Sequence, residues 1–371
     1  MKLLFVCDPL INEKGYNTAL SAVIKALRTN LPSFGHSSIL VTKSILAGIP
    51  PGTSAYPRVC EVLDGLEFDH IHIVTEGRLG LLARRYCVAR GLRFTTEYHT
   101  QYPEALQMRH GMDPARAYAY LRWFHNRADR VIVPTETMER RIREHGIKNT
   151  IACGHGVNTD LFKPYGKGFL DHLPRPIFLY VGRLDPEKTL EDFLSLDLPG
   201  TKLVVGEGSV RGELEARFTD AVFVGLKLGE ELAKYYAAAD VFVFPSRTDT
   251  FGLVNLEAIA SGTPVAAYPV TGPIDILTDP KVGCMDDDLR KACMKALTLS
   301  SSDCREFGLR HSWPEATRRF LELQVPFSKR MHSNNDAARI RFEVMFGRRL
   351  DELEQLVAEI ENLQYGGVLP P

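Results

Sequence analysis

The chain has 371 residues, of which 44% are hydrophobic and 25% are charged, and its formal net charge at pH 7 is −1. This chain is longer than one that ordinarily folds around a single hydrophobic core, and its length predicts two α/β domains with an appended segment. No apolar run approaches the roughly 20 residues of a membrane-spanning helix. Seven cysteines without Cys-x-x-Cys spacing predict a reducing, cytoplasmic location and argue against a zinc site.

The first half of the chain alternates between buried strands and helical stretches. Strands are predicted at 2–7, 37–42, 69–74, 93–96 and 130–133. The opening MKLLFVCDP reads as a strand, because its acidic residue comes too early for a secretory signal. The alternation predicts a doubly wound parallel sheet, which we assign to a first domain over residues 1–165.

Positive charge is concentrated in this first domain, which has 21 Lys and Arg against 15 Asp and Glu, whereas the remainder has 24 against 31. The excess predicts either a solvated face or a surface for a polyanion, namely an anionic lipid membrane or nucleic acid. RLGLLARRYCVARGL from Arg78 and PARAYAYLRWFHNRADR from Pro114 are candidate borders of an acceptor site. The helical spacing of Tyr118, Leu121 and Phe124 also predicts core packing, which we favour for most of these rings.

Strands and helices recur from Pro176, after a segment rich in Pro and Gly. PIFLYV, DVFVFPS and TPVAAY are the candidate strands. They predict a second doubly wound sheet over residues 166–311. Open α/β sheets bind ligands at the carboxyl ends of their strands, so we expect a cleft between the two domains at those ends.

The segment from Asp240 to Pro269 is the most informative part of the chain. DVFVFPS is a strand, TDTFG a turn, LVNLEAIASG a short helix ending at Gly262, and TPVAAY the next strand. Two carboxylates, Asp249 and Glu257, flank this strand-to-helix junction.

An anion is expected at the junction. The first amides of the helix lack helical partners and lie at the positive end of its dipole; they belong to Phe251, Gly252, Leu253 and Val254. Gly252 has no Cβ and would let a phosphate approach the main chain. Glu257, one turn further on, would accept hydrogen bonds from ribose hydroxyls. An ordinary βα turn, with Asp249 as a cap and Glu257 solvated, is the alternative.

The pattern Pro-Ser, an acidic residue, Phe-Gly and Glu-Ala resembles the family-4 glycosyltransferases, retaining sugar transferases of the GT-B fold. The family usually has Glu at the first acidic position, and Asp249 resembles the SRTDTFG subgroup that includes bacterial glycolipid synthases. The resemblance implies two Rossmann-like domains facing a cleft. It also implies that SWPEATRRFLELQ, within residues 312–326, is a closing helix that returns to the first domain.

The resemblance assigns donor contacts in the second domain. Gly182, Arg183 and Lys188, in VGRLDPEK, match the segment that grips the donor pyrophosphate. Two fixed cations there would stabilise the charge that grows as the leaving group departs. Thr250, Phe251, Gly252 and Leu253 would contact the diphosphate, Glu257 the ribose and Asp249 the sugar hydroxyls. KLVVGEG from Lys202 and FVGLKLGEEL from Phe223 fall where the family has its next strands, and the second would lie beside the base.

In the first domain the resemblance points to Gly15, in a glycine-containing loop that would face the donor and the acceptor, and to His99, at the Tyr-His-Thr position near the transferred sugar or its acceptor. The segment GHGVNTDLF departs from the family, because His155 and Asn158 stand where relatives often have Arg and Asp. No acceptor residue is assigned there.

The predicted function is retaining transfer of a hexose from a nucleotide diphosphate sugar, with UDP favoured, to an acceptor hydroxyl. The family's mechanism has departure and attack on one face of the sugar, and the leaving phosphate helps to take the acceptor proton. His99, Arg183, Lys188 and Asp249 are the expected catalytic residues. Because no Asp-x-Asp motif stands in the donor loops, neither a metal nor a cofactor is predicted.

Alternatives remain open at this point. A GT-B sugar nucleotide epimerase would release free sugar or a new nucleotide sugar, and a non-catalytic nucleotide-sugar binder would show no turnover. The acceptor is a lipid or small hydroxyl compound, which we favour, or a hydroxymethylated base in DNA reached through the basic first half. A lipid acceptor would make the cytoplasmic enzyme peripheral to an anionic membrane.

The resemblance ends at Val325, and residues 327–371 read as a polar linker and a helical extension. An apolar stripe with spacing 4, 3, 4, 3 runs from Phe346 to Ile360. It predicts either docking onto the enzyme or a weak homodimer through 340–363.

Overall fold

The computed structural model describes residues 1–8, 19–49 and 54–324. Among them the chain divides into two compact units. The first takes in Met1–Pro134, Glu139–Cys153 and the described residues from Thr317 onward, and the second takes in Thr135–Met138 and Gly154–Ala316. The stripe from 346 to 360 and the predicted dimer segment 340–363 lie outside the described residues.

The first unit is built on a parallel sheet of six strands. Its order is β2-β1-β3-β4-β5-β6. The strands are β1 Lys2–Cys7, β2 Ser37–Thr42, β3 His70–Ile73, β4 Phe94–Glu97, β5 Arg130–Val133 and β6 Thr150–Ala152. The helices before the second unit are α1 Ala19–Asn30, α2 Tyr56–Asp64, α3 Arg78–Arg90, α4 Tyr102–His110, α5 Pro114–His125 and α6 Glu136–Glu144.

The second unit repeats this plan with a parallel sheet of order β12-β11-β10-β7-β8-β9. The strands are β7 Ile177–Val181, β8 Thr201–Val205, β9 Ala221–Phe223, β10 Val241–Phe244, β11 Val265–Ala267 and β12 Gly283–Met285. The remaining helices are α7 Leu190–Leu194, α8 Arg211–Arg217, α9 Gly229–Ala238, α10 Leu253–Ala260, α11 Pro273–Ile276, α12 Leu289–Ala296, α13 Ser301–Leu309 and α14 Trp313–Leu323.

Apolar residues cover both faces of the second sheet. Alternate residues of β7 enter different cores: Ile177 and Leu179 pack in one cluster, and Phe178 and Tyr180 in the other. Strands buried on both faces read as continuous apolar runs, which is why PIFLYV was recognisable in the sequence. Two doubly wound parallel sheets were predicted, and both are confirmed.

One predicted strand region was wrong. FVGLKLGEEL was expected to form a strand, but only Phe223 belongs to β9, and Gly229 begins α9. Gly225 and Gly229 have positive φ angles of 72° and 56°, which interrupt an extended strand. The acidic pair Glu230 and Glu231 then occupies the first turn of α9, where carboxylates favour a helix.

The unit boundary lies at Gly154, earlier than the 165/166 division expected from the sequence. The segment that follows is tied to the second unit: Val157 donates its amide to the His311 carbonyl, and Arg305 donates to the carbonyls of Phe162 and Thr159. At the other end of the chain, Phe320 of α14 stacks on Phe5, with ring centroids 5.9 Å apart, within the first unit.

All seven cysteines lie in the described part of the chain, and all are free thiols. Within residues 1–8, 19–49 and 54–324, none of the helices combines the length and the apolar composition needed to cross a bilayer.

Candidate active site

The donor site predicted from the sequence centres on the loop between β10 and α10 in the second unit. α10 begins at Leu253, and no side chain caps its amino terminus. Its amides and the positive end of its dipole are therefore directed at whatever occupies the loop. The helix ends at Ala260, and Gly262 follows with a φ of 82°, so the predicted strand-turn-helix unit is confirmed.

Gly252 shapes this helix start. Its φ is 83°, a conformation that side chains other than that of glycine rarely adopt. A Cβ there would also lie 2.7 Å from Nδ2 of Asn255 and 3.1 Å from the ring of Phe244. Only glycine fits this turn, and its bare backbone leaves the amides of the helix start open to a close approach.

Lys188 and Asp249 form an ion pair beside this turn. Lys188 Nζ lies 2.6 Å from Asp249 Oδ1, and both side chains are mostly buried. Burial alone would raise the pKa of Asp249, but the charge and hydrogen bond of Lys188, with smaller contributions from Ser246 and Arg183, hold that pKa below its ordinary value. Asp249 is therefore a carboxylate at neutral pH, able to accept hydrogen bonds from sugar hydroxyls.

Two further hydrogen bonds hold the loop after β7 against the loop after β10. Thr189 donates its hydroxyl to the Pro245 carbonyl at 2.8 Å, and Thr248 donates to the Glu187 carbonyl at 3.2 Å. These bonds fix Lys188 next to Asp249, although the two residues are 61 positions apart in the chain.

Arg183 follows β7 and stays 56% exposed. It donates to Oε1 of Glu187 at 2.9 Å and also pairs with Asp185. Its two carboxylate partners are mostly buried, Asp185 being 14% and Glu187 7% exposed, so only the guanidinium is open to solvent. The exposed guanidinium of Arg183 is therefore accessible to a diphosphate.

Glu257 lies on α10 and accepts a hydrogen bond of 2.9 Å from the Tyr236 hydroxyl of α9. Burial raises the pKa of Glu257 to about 7, and the bond from Tyr236 opposes that rise. Without a ligand the carboxyl group is thus divided between its neutral and ionised forms near neutral pH. Tyr236 was not recognised in the sequence, where its only signal was its place in an amphipathic helix.

The remaining predicted donor residues are in the same loops. Gly182 follows β7, and a Cβ on it would lie 2.7 Å from the Tyr180 hydroxyl, which donates to the Arg183 carbonyl at 2.8 Å. The Thr250 carbonyl accepts a hydrogen bond of 3.4 Å from Thr135, and Phe251 is buried against the ring of His155 at 4.9 Å. Asn158 accepts from the amides of Asp160 and Leu161, a structural role.

His99 lies just beyond β4 in the first unit and is mostly buried. Its Nε2 is 3.2 Å from Oε2 of Glu97, which also lies 3.1 Å from Nε2 of His72. The sequence signal for His72 and Glu97 is that they are polar residues within the buried strands HIHI and FTTE; neither was predicted as a site residue. Gly15, the other residue predicted here, lies outside the described residues.

Several arginines of the basic first half have partners within the chain. Arg84 is buried, lies 3.7 Å above the Trp123 ring, and donates to the carbonyls of Trp123 and Phe124. Other side-chain pairs join Arg90 to Asp64, Arg93 to Asp129, Arg141 to Glu104 and Arg143 to Glu139. Tyr118, Tyr120 and Phe124 are buried, which confirms core packing for these rings.

Two family models match the chain, one in each half. Residues 23–161 match "Glycosyltransferase Family 4", and residues 175–299 match "Glycosyl transferases group 1". The second match spans the loops that hold Arg183, Lys188, Asp249 and Glu257.

Curated relatives extend the similarity over most of the chain. A GDP-mannose-dependent α-mannosyltransferase of Mycolicibacterium smegmatis is 32% identical, over 85% of this chain and 94% of the relative. A protein of the same name from Mycobacterium tuberculosis is 32% identical over 64% of this chain, and the match spans slightly less than two thirds, 65%, of that relative. An α-monoglucosyldiacylglycerol synthase of Streptococcus pneumoniae is 26% identical over 75% of this chain and 68% of the relative.

Among solved structures, a sucrose-phosphate synthase from Thermosynechococcus elongatus superimposes with a TM-score of 0.71 at 20% identity, covering 87% of this chain and 98% of that one. At this identity the likeness concerns the fold alone. The fold is GT-B, as the sequence predicted.

Proposed function

Because the chain belongs to the glycosyltransferases of family 4 and group 1, we propose that it moves a hexose, with retention of configuration, from a nucleotide diphosphate sugar to an acceptor hydroxyl. The observation that supports this most directly is the uncapped start of α10 beside the Lys188–Asp249 pair. A helix amino terminus flanked by a lysine and an exposed arginine suits a diphosphate.

In this proposal the second unit handles the leaving group. Arg183, Lys188 and the amides that begin at Phe251 stabilise the negative charge that develops on the departing diphosphate. Glu257 accepts hydrogen bonds from the ribose, and Asp249 does so from the sugar. No protein nucleophile is required in this mechanism. The leaving phosphate itself assists removal of the acceptor proton. His99 contacts the transferred sugar or its acceptor.

We propose GDP-mannose as the donor, in place of the UDP-sugar that the subgroup resemblance favoured. Two relatives with 32% identity are named for GDP-mannose, and one of them is matched over 94% of its length. The loops that hold the diphosphate do not themselves select the base. The identity of the donor is therefore tested by comparing the transfer rates from GDP-mannose and from a UDP-sugar.

We propose a lipid carrying a free hydroxyl as the acceptor. The pneumococcal relative is named for a diacylglycerol glycolipid. Four arginines of the first unit, Arg90, Arg93, Arg141 and Arg143, pair with carboxylates of the same unit, so part of the positive charge that suggested a nucleic acid is compensated there. Association with the surface of an anionic membrane would follow from such an acceptor.

Labelled sugar provides the test. The full chain is incubated with radiolabelled GDP-mannose or UDP-glucose, together with anionic liposomes that contain diacylglycerol or glucosyl-diacylglycerol, and lipid extracts are counted. We expect label to enter the lipid from GDP-mannose at a rate at least tenfold above that from UDP-glucose. Label recovered only as free sugar or as a new nucleotide sugar would contradict transfer to an acceptor. Binding of the nucleotide sugar with no turnover would contradict catalysis.

A further inference from the structure

Asn255, in the first turn of α10, has a buried side chain whose polar atoms are unpaired. Its main-chain amide donates to the Gly252 carbonyl at 2.9 Å and closes the turn. The side chain is fully buried, and neither its Oδ1 nor its Nδ2 makes a hydrogen bond with any residue that the structure describes. Such a carboxamide is uncommon inside a protein, because each buried polar atom without a partner lowers stability.

The carboxamide of Asn255 lies against the turn that begins the helix. A Cβ placed on Gly252 would be 2.7 Å from Asn255 Nδ2 and 3.1 Å from the Phe244 ring, so the amide nitrogen flanks Gly252. Gly252 is the residue just before α10, and no side chain caps that end of the helix. The unpaired nitrogen is therefore directed at the helix start, beside the main-chain amides proposed to hold the diphosphate.

Two other helices of the second unit begin with a side-chain cap. Asp288 accepts from the Lys291 amide at the start of α12. Ser300 accepts from the Asp303 amide at the start of α13. A side chain at the third position of a helix can also accept from an amide at the helix start, as in a capping box. Asn255 has an oxygen at this position but does not cap α10, which leaves the amides of that helix open to an anion.

We infer that Asn255 is a donor-binding residue whose Nδ2 donates a hydrogen bond to the diphosphate at the start of α10. It rests on the proposed function, which places a diphosphate on these amides. A diphosphate offers acceptor oxygens, so it pairs with Nδ2 of the carboxamide and not with Oδ1. A hydrogen bond to a charged oxygen is also stronger than one between neutral groups.

The burial of Asn255 means that the turn at Gly252 moves slightly before the contact forms. Gly252 has no Cβ, so its backbone changes conformation more freely than that of other residues. The carboxamide is unpaired in the ligand-free chain and paired in the complex, and this difference in free energy between the two states adds to the affinity for the ligand.

A merely structural role for Asn255 predicts a different result. A buried water that satisfied the carboxamide would make it an internal polar residue of the helix. Replacement of Asn255 would then change stability and leave nucleotide binding as it is. In a donor-binding role, an apolar side chain of similar size weakens nucleotide binding while the ligand-free chain keeps its stability.

Asn255→Leu separates the two roles, since leucine has as many side-chain heavy atoms as asparagine and none of them is polar. Calorimetric titration of the full chain with GDP, and in parallel with UDP, measures the dissociation constant, and thermal unfolding without nucleotide measures stability. We expect the Kd of the nucleotide that binds the wild type to rise about 10- to 100-fold, as for loss of one hydrogen bond to a charged group. The melting temperature should stay at or above the wild-type value.

Ser261→Ala is the matched control. Ser261 follows α10 at its carboxyl end, is buried, and has a hydroxyl that is likewise unpaired among the described residues. Its replacement removes an unpaired polar atom from the same helix, far from the helix start. We expect the melting temperature to stay at or above that of the wild type and the Kd to remain unchanged.

A wild-type Kd in Asn255→Leu overturns the inference. If leucine prevents folding or lowers the melting temperature, Asn255→Ala removes the same carboxamide without adding volume, and an unchanged Kd in that variant overturns the inference as well. Binding that depends on Asn255, in a chain that transfers no sugar, supports the inference and contradicts the proposed function. A wild-type chain that binds neither GDP nor UDP contradicts both.

Discussion

Lys188→Ala is expected to lower kcat about 10²- to 10³-fold, the usual cost of removing one charged or hydrogen-bonding group aimed at a developing negative charge. Lys188 Nζ lies 2.6 Å from Asp249 in the absence of a donor. Its removal deprives the departing diphosphate of a fixed cation and leaves the Asp249 carboxylate without its closest counter-charge. Steady-state kinetics with saturating donor and acceptor measure the effect.

Lys291→Ala is the matched control for Lys188. Lys291 lies on α12 of the same unit, is 70% exposed, and pairs only weakly with Asp288 at 3.5 Å. We expect this variant to keep the wild-type kcat, since it removes the same charge from a solvated face. Full activity in Lys188→Ala, with a melting temperature equal to that of the wild type, would refute the role given to the ion pair.

Glu257→Gln is expected to raise the donor KM about 10- to 100-fold and to abolish its dependence on pH. Hydrogen bonds to a charged acceptor are worth about 1.5–3 kcal/mol, and the amide loses that charge. In the wild type the pKa of Glu257 is about 7, so the carboxylate fraction rises as the pH rises through that value. The wild-type donor KM should therefore fall between about pH 6 and about pH 8.

The same substitution has the opposite effect on the stability of the ligand-free chain. A carboxyl whose folded pKa of about 7 exceeds its ordinary value of 4.5 binds more protons in the folded state, so stability falls as the pH rises between those values. Glu257→Gln avoids this cost and should stabilise the chain at about pH 8 by on the order of 1–3 kcal/mol. Denaturant unfolding at about pH 5 and about pH 8 measures the difference.

Glu191→Gln serves as the control for Glu257. Glu191 is 48% exposed and pairs with Arg217 at 2.7 Å in the second unit. Its amide should leave both the donor KM and its pH profile unchanged. A pH-dependent donor KM that persists in Glu257→Gln would assign the titration to another group.

The sequence was most informative where structure is determined locally. Asp249, Gly252 and Glu257 fall within nine residues, and the apolar run before them and Gly262 after them mark the strand and the helix ends. Backbone conformation and sequence agree there: Gly252 and Gly262 both adopt positive φ angles. A resemblance carried by such a compact motif survives even where the surrounding sequence diverges.

Contacts between distant residues were missed. Glu97 and His72 are 25 positions apart and meet only because β3 and β4 are neighbours in register. Tyr236 and Glu257 meet because α9 and α10 pack side by side. Neither strand order nor helix packing can be read from periodicity alone. The sequence therefore does not show that these residues become neighbours.

The basic first half shows how composition can mislead. Its arginines suggested a surface for a polyanion, yet Arg84 is buried beneath Trp123 and donates to main-chain carbonyls. Arginine carries five donors and a flat apolar face, so it can brace helices as readily as it binds phosphates. A charge count does not distinguish these two uses.

Diffraction from crystals of the full chain soaked with GDP tests most directly the claim that a diphosphate is bound at the start of α10. We predict phosphate oxygens about 3 Å from the amides of Phe251 to Leu253, with Lys188 Nζ in contact with a phosphate. Density for GDP bound elsewhere, with the Lys188–Asp249 pair still at 2.6 Å and the helix start unoccupied, would contradict it.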